Sequence, residues 1–194
     1  AAENTSGKIY SSQIYNGING TLAVDFNAAD WSETSTNGAT QASSTTGEVW
    51  TLNNTGALPA QIVGSPSLLF NGTAHFMQAA FTLNQPNTIY TVVKQVTWTI
   101  LDTIFDGDEA GISITAQVAQ STATPKITMF AGSIIGDNAN LAVNAYGVLT
   151  AVFNGASSSL QIDSTAAVTG DAGAGNAGGM TLGANGLTIT AQFG

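Results

Sequence analysis

The sequence predicts an all-β fold, an antiparallel sandwich or barrel with very little helix. Three observations carry this expectation. Runs of β-branched and aromatic residues recur along the chain, several alternate apolar with polar positions, and Asn-Gly or Asp-Gly pairs fall between them. Alternation at period two puts one set of side chains on a buried face. Asn-Gly and Asp-Gly accept the positive φ of a tight hairpin.

Taken in order, the first strand signal is Thr21-Leu22-Ala23-Val24-Asp25-Phe26, behind the turn pairs Asn16-Gly17 and Asn19-Gly20. Asn27 to Glu33 holds one turn of helix signal, because Asn27 or Asp30 can cap it and Ala28-Ala29 accept helix. Ser32 to Thr46 is a Ser/Thr/Gly/Ala/Asn loop. Strand signals follow at 47–52 and 67–70, the second closing on Asn71-Gly72. The run Ile89 to Ile100 is the densest in β-branched and aromatic residues, and Gly111 to Val118 alternates as a half-buried strand does. Strands at 149–153 and 159–163 flank Asn154-Gly155, and those at 180–183 and 187–193 flank Asn185-Gly186. Between these pairs, Thr169 to Gly179 is a Gly/Ala loop. Neither loop marks a boundary, so residues 1–194 read as one domain, with 1–46 an N-terminal strand-and-loop extension. No segment keeps a 3.6-residue period for three turns.

Composition removes whole classes of function. A chain of 194 residues is long enough to bury about 70% of its unfolded surface without disulfide staples. It has no cysteine, which excludes thiol catalysis and Cys-ligated zinc or iron–sulfur chemistry. Twelve acids face three lysines (Lys8, Lys94, Lys126) and no arginine, for a formal charge of -9. That balance cannot neutralise phosphates, so nucleic acid and anionic membrane surfaces are excluded as partners. No stretch reaches the ~20 apolar residues of a membrane span. Ala1 to Ser12 is polar and lacks a signal-peptide pattern.

Several segments resemble laminin-G-like, concanavalin-A-like domains. Leu69-Phe70-Asn71-Gly72-Thr73-Ala74-His75-Phe76-Met77 is similar to the strand, tight turn and aromatic return that open the family's central region. Leu149 to Asp163, with Val152-Phe153 leading into Asn154-Gly155 and Leu160 and Ile162 two apart, resembles the family's hairpin, completed by Met180-Thr181-Leu182-Gly183-Ala184. The resemblance spans roughly Gly47 to Ala184 and implies a jelly-roll sandwich, while leaving activity open. Two departures stand out. Ser164 occupies the place of a usual Gly after the hairpin, which points to a different turn there. The closing family strand also has no counterpart before Gly194. The expectation is therefore a fragment, or a gap filled by Ile9 to Ile18 or by another subunit, with an open edge near Gly194 inviting pairing. The stretch Phe81 to Tyr90, running on through Trp98 and Phe105-Asp106-Gly107, resembles such modules in bacteriophage tail and capsid-decorating proteins.

Few residues point to chemistry. Asp102, Asp106, Asp108 and Glu109 form the densest acidic cluster. Three readings stay open: self-capped turn residues, a Ca²⁺ site, or paired catalytic carboxylates. The spacing departs from the alternating acids of glucanases on this architecture. Asp137-Asn138-Ala139-Asn140 is a second oxygen-rich loop. His75 lies between Ala74 and Phe76 in a strand signal, where a locally satisfied histidine outweighs a general base. The uronate lyases of this fold need arginine, which is missing. For glycans the candidates are Trp31, Tyr146, Asn138 and Asn140. Trp31 is expected to be exposed after a polar stretch, whereas Trp50 and Trp98 are expected in the core. Sequons at Asn4, Asn19, Asn53 and Asn71 are what an Asn- and Thr-rich chain produces by chance.

The function expected is a non-catalytic structural or adhesion module of a virion, contacting other subunits or host-surface glycans. The alternative is an extracellular glycan-binding module, with Ca²⁺ as its one conceivable cofactor. A glycoside hydrolase or lyase is a distant third.

Overall fold

The computed structural model describes residues 7–31, 38–54, 61–62, 67–108, 114–186 and 192–194. In chain order the strands are β1 (Gly7–Asn16), β2 (Thr21–Asn27), β3 (Thr40–Ala42), β4 (Val49–Asn54), β5 (Gln61–Ile62), β6 (Leu68–Phe70), β7 (His75–Ala80) and β8 (Asn87–Lys94). They continue with β9 (Thr103–Asp106), β10 (Gln117–Gln120), β11 (Lys126–Phe130), β12 (Ile134–Asn140), β13 (Tyr146–Phe153), β14 (Ser158–Ile162), β15 (Val168–Gly170) and β16 (Gly179–Leu182). Two 3₁₀ turns, Ala28–Asp30 and Gly155–Ser157, are the only helical pieces among the described residues. Asn27 caps the first, accepting the Ala29 N–H at 3.0 Å, as the sequence predicts.

The strands build two antiparallel sheets packed face to face, the sandwich predicted. The first runs β15-β14-β13-β8-β1-β6-β5, with β2 also on β1, and the second runs β12-β11-β10-β9-β16-β7-β4-β3. β1 pairs with β8 along one side and divides its other side between β6 at residues 7–9 and β2 at residues 11–16. The register against β8 steps past Tyr10 between Ile9 and Ser11. Bulges of this kind re-aim a side chain, and the residue skipped here is a tyrosine. At one side of the sandwich β12 packs against β14 and β15.

Alternation decides what enters the core. Ile89 and Val93 of β8, Leu149, Ala151 and Phe153 of β13, and Leu160 and Ile162 of β14 point inward and are buried. They meet Leu52, Met77, Phe105, Val118 and Leu182 of the second sheet in one cluster. Trp50 lies in that core as expected, its ring 5.3 Å from Phe26 in a T-shaped contact. Its Nε1 donates to Glu48 Oε1, which also accepts the Asp25 N–H at 2.8 Å, so one carboxylate ties the two sheets together.

Two strand expectations shift. The run to Ile100 leaves the sheet at Lys94. Beyond it a buried amide network takes over: Gln120 Oε1 accepts the Thr99 N–H, Gln120 Nε2 donates to the Thr97 carbonyl and Gln95 Oε1, and Gln95 Nε2 donates to the Leu141 carbonyl. Two buried glutamines thus satisfy backbone that a neighbouring strand would otherwise pair. Consequently Trp98 is only half-buried instead of core. The strand expected at 111–118 begins at Gln117, and residues 111–113 lie outside the described residues.

After β14, at the turn that holds Ser164, Asp163 takes the positive φ (51°) and Thr165 N–H closes on the Ile162 carbonyl. The last described residues turn inward. Gln192 bridges Thr103 in parallel, the Phe193 N–H donates to the Gly183 carbonyl, and the Gly194 carbonyl accepts from Thr97. Phe193 is fully buried. These residues therefore pair within the chain, and among the described residues the sheets end instead on β15, β5, β2, β12 and β3.

Candidate functional site

The acidic cluster resolves into separate roles. Asp106, at the end of β9, is 1% exposed. Its Oδ1 accepts the backbone N–H groups of Gly107, Thr115 and Ala116 at 2.8, 3.0 and 3.2 Å, and its Oδ2 accepts that of Gly186 at 3.1 Å. It is neither a solvated turn residue nor a free ligand. Four donors already occupy the lone pairs that calcium would use. Asp102 stands at the other end of β9, and four residues of strand place it about 13 Å away. Asp108 lies on the second sheet's outer surface beside Val49, Thr51, Gln78 and Ala80. Glu109 is outside the described residues. Among the described residues no three His, Asp or Glu side chains converge as a metal site.

Burial governs these acids electrostatically. It pushes Asp106 up to about 6, while the four backbone donors restrain the rise. Burial pushes Asp102 up to about 6 and Asp108 upward as well. A folded value above the usual ~4 means the folded state holds its proton more tightly than the unfolded chain. The stability these groups contribute is therefore present below about pH 4 and is lost as pH rises through 6. For Asp106 alone the difference is about 3 kcal/mol. The self-repulsion of a -9 chain acts in the same direction. The melting temperature at pH 4.5 is expected to exceed that at pH 7.5 by about 5 °C or more in calorimetry. A higher value at pH 7.5 would contradict this assignment.

His75 is 5% exposed, with Nδ1 3.4 Å from the Leu69 carbonyl, in keeping with a locally satisfied strand histidine. Trp31 is the clear correction. It is 7% exposed and belongs to the core cluster instead of standing in solvent. The 3₁₀ turn that precedes it carries it inward, and the polar stretch around it in sequence gave the opposite impression.

Tyr146 is exposed as a binding aromatic must be, at 58%. It begins β13 in the first sheet, whereas Asn138 and Asn140 belong to β12 in the second. The side chain of Asn138 is outside the described part, and Asn140 is exposed. The four glycan candidates do not assemble into one platform.

A different group does assemble. On β8 the inward Ile89, Thr91 and Val93 leave Tyr90, Val92 and Lys94 facing out. Register then sets Gln13, Tyr90 and Thr150 in one row, Ser11, Val92 and Val148 in the next, and Lys94 beside Tyr146. Tyr10, freed by the bulge, donates to the Tyr146 hydroxyl at 2.7 Å with ring centroids 5.3 Å apart. Burial and then this hydrogen bond raise the Tyr10 phenol above its ordinary value. Lys94 Nζ sits 5.3 Å from the Tyr146 ring centroid, a cation–π contact. At the other end Tyr15 and Tyr90 meet edge to face at 5.6 Å. The Tyr15 hydroxyl donates to Gln13, whose Nε2 donates to Asp25.

Neither the family models nor the curated proteins compared give a match to this chain.

The outer face of the first sheet thus carries two tyrosine pairs on three central strands, bridged by Val92 and Val148. Tyr10, Tyr15 and Tyr90 are available aromatics in the sequence, which does not say that they stand together. Alternation on β8 signals that Tyr90 faces out, but the partners that β1 and β13 bring beside it depend on register. Among the described residues no helix is long and apolar enough to cross a membrane.

Proposed function

We propose that this chain is a non-catalytic structural and adhesion module of an exposed surface, a virion's capsid, tail or fibre, and that it meets its target with the outer face of the first sheet. The observation that carries the reading is the aromatic and apolar strip of Tyr90, Val92, Val148 and Tyr146, with Val148 42% exposed at its centre. Exposed aromatics held on rigid strands cost little ordering entropy on binding, which suits a contact surface. Placement on a virion rests on the resemblance of Phe81 to Gly107 to phage structural modules. The partners are other subunits of an assembly or host-surface glycans.

The test compares the isolated chain with a Tyr146→Ala/Val148→Lys variant by sedimentation and on a glycan array. Wild type is expected to self-associate or to retain glycans, and the variant to weaken that binding about tenfold or more. Equal behaviour of the two proteins would remove this face as the contact. One observation favours the second reading, an extracellular glycan-binding module: a hollow opens beside the Tyr15–Tyr90 pair.

A further inference from the structure

We propose that this hollow, lined by Tyr15, Asn19, Gly20, Thr88 and Tyr90, is a subsite for a single neutral hexopyranose ring, with the Thr88 hydroxyl as its buried hydrogen-bond partner. The inference rests on the glycan-contacting form of the reading above and gives it a site and a ligand class. The cavity measures about 370 Å³, at the small end of ligand sites, which run from about 300 to 1,000 Å³. That size suits a single sugar ring and not a peptide segment.

Its walls and floor are those of a sugar site. The Tyr15 and Tyr90 rings stand at 89° to each other, so one presents an edge where the other presents a face. The C–H faces of a pyranose pack on such aromatic surfaces while its hydroxyls need polar partners. Thr88 lies two residues from Tyr90, hence on the same face of β8, opposite Tyr15 in the register. It is 3% exposed, and its Oγ1 has no hydrogen-bond partner. A buried unpaired hydroxyl costs about 1–3 kcal/mol, which a ligand hydroxyl would recover. The Tyr90 hydroxyl likewise makes no hydrogen bond to the described residues. The β1–β2 turn, with Gly17 at φ 84° and Asn19 at φ 58°, brings Asn19 to the rim.

Charge sets the ligand class. No cationic side chain lines the hollow, and Asp25 lies two hydrogen bonds behind Tyr15, through Gln13. An anionic sugar would meet repulsion without compensation. Thr88 Oγ1 is covered in the free protein, so a sugar hydroxyl reaching it has to move part of the lining, which Tyr15 and Tyr90 form with Asn19 and Gly20. Binding is therefore readable at those rings.

The experiment titrates the methyl glycosides of glucose, galactose, mannose and N-acetylglucosamine, at millimolar concentration, while following the Tyr15 and Tyr90 ring resonances by NMR. At least one glycoside is expected to shift both rings saturably. Thr88→Val, similar in shape without the hydroxyl, should weaken binding about five- to tenfold and leave the melting temperature equal or higher. Tyr90→Ala should abolish it, and Ile134→Ala, at an exposed position on the second sheet, should leave it unchanged. Undiminished binding in Thr88→Val, or a fall in its melting temperature, would overturn the assignment. Failure of all four glycosides on wild type would overturn the subsite alone, since the adhesion face is judged separately by the Tyr146→Ala/Val148→Lys variant.

Discussion

Asp106→Ala is expected to lower the unfolding free energy by about 4 kcal/mol or more, read as a fall in the denaturant midpoint at unchanged slope. The size follows from what one carboxylate holds. Its four N–H donors come from the residue after β9, from the segment entering β10, and from Gly186 beyond β16. Removing the acceptor leaves four backbone donors without their partner in a site that is 1% exposed, and each such donor costs about 1–3 kcal/mol before water relieves some of them. Asp106→Asn should be milder, about 1–2 kcal/mol. Its amide oxygen can still accept from Gly107, Thr115 and Ala116, but its NH₂ opposes the Gly186 donor. The same variant should flatten the stability–pH curve between about pH 4 and 6, because the titrating group is gone. A loss under about 1 kcal/mol in Asp106→Ala would show that these segments hold together without it.

Gly183→Ala is the second large effect, with an expected cost of about 3 kcal/mol in the same measurement. Two independent penalties add. Gly183 has φ 78°, where an L side chain is strained by about 1–2 kcal/mol. A Cβ there would also stand 2.2 Å from Cδ1 of Phe70, a ring that is 1% exposed and has no room to retreat. The residue cannot shift cheaply, because its N–H donates to the Ile104 carbonyl and its carbonyl accepts from Phe193. Phe70 belongs to the first sheet and Gly183 follows the last strand of the second, so the close approach is a contact between layers. Phe70→Leu combined with Gly183→Ala should restore part of the loss by vacating space. Equal stability of wild type and Gly183→Ala would remove the clash as an account of this position.

Much of the fold is legible in local sequence. The turn chemistry of Asn16-Gly17 and Asn19-Gly20 marks the β1–β2 hairpin, Asn27 marks the cap, and Leu149 to Ile162 marks the β13–β14 pair through its period-two pattern. The errors have physical causes. The polar neighbours of Trp31 in sequence predict exposure, whereas a single 3₁₀ turn delivers it to the core. The run to Ile100 reads as one long strand because Thr97, Trp98 and Ile100 favour extended backbone, whereas Gln120 offers that backbone hydrogen bonds outside the sheet and Gln95 holds Gln120 in place. Nearness in sequence groups Asp106 with Asp102, Asp108 and Glu109. Strand geometry separates Asp102 from Asp106, and burial gives Asp106 partners from distant segments.

Sequence alone determined the class of this protein: all-β, acidic, without arginine or cysteine, and so without the chemistries those residues carry. It did so because composition and period-two alternation act locally, residue against neighbour. Only the tertiary structure decided which tyrosines stand together, that Thr88 lies unpaired beneath two of them, and that Asp106 serves as a buried anchor. These depend on strand register and on which loop folds over which sheet. A one-residue slip would turn Tyr90 inward, and nothing within β8 by itself specifies the register that β1 and β13 adopt against it.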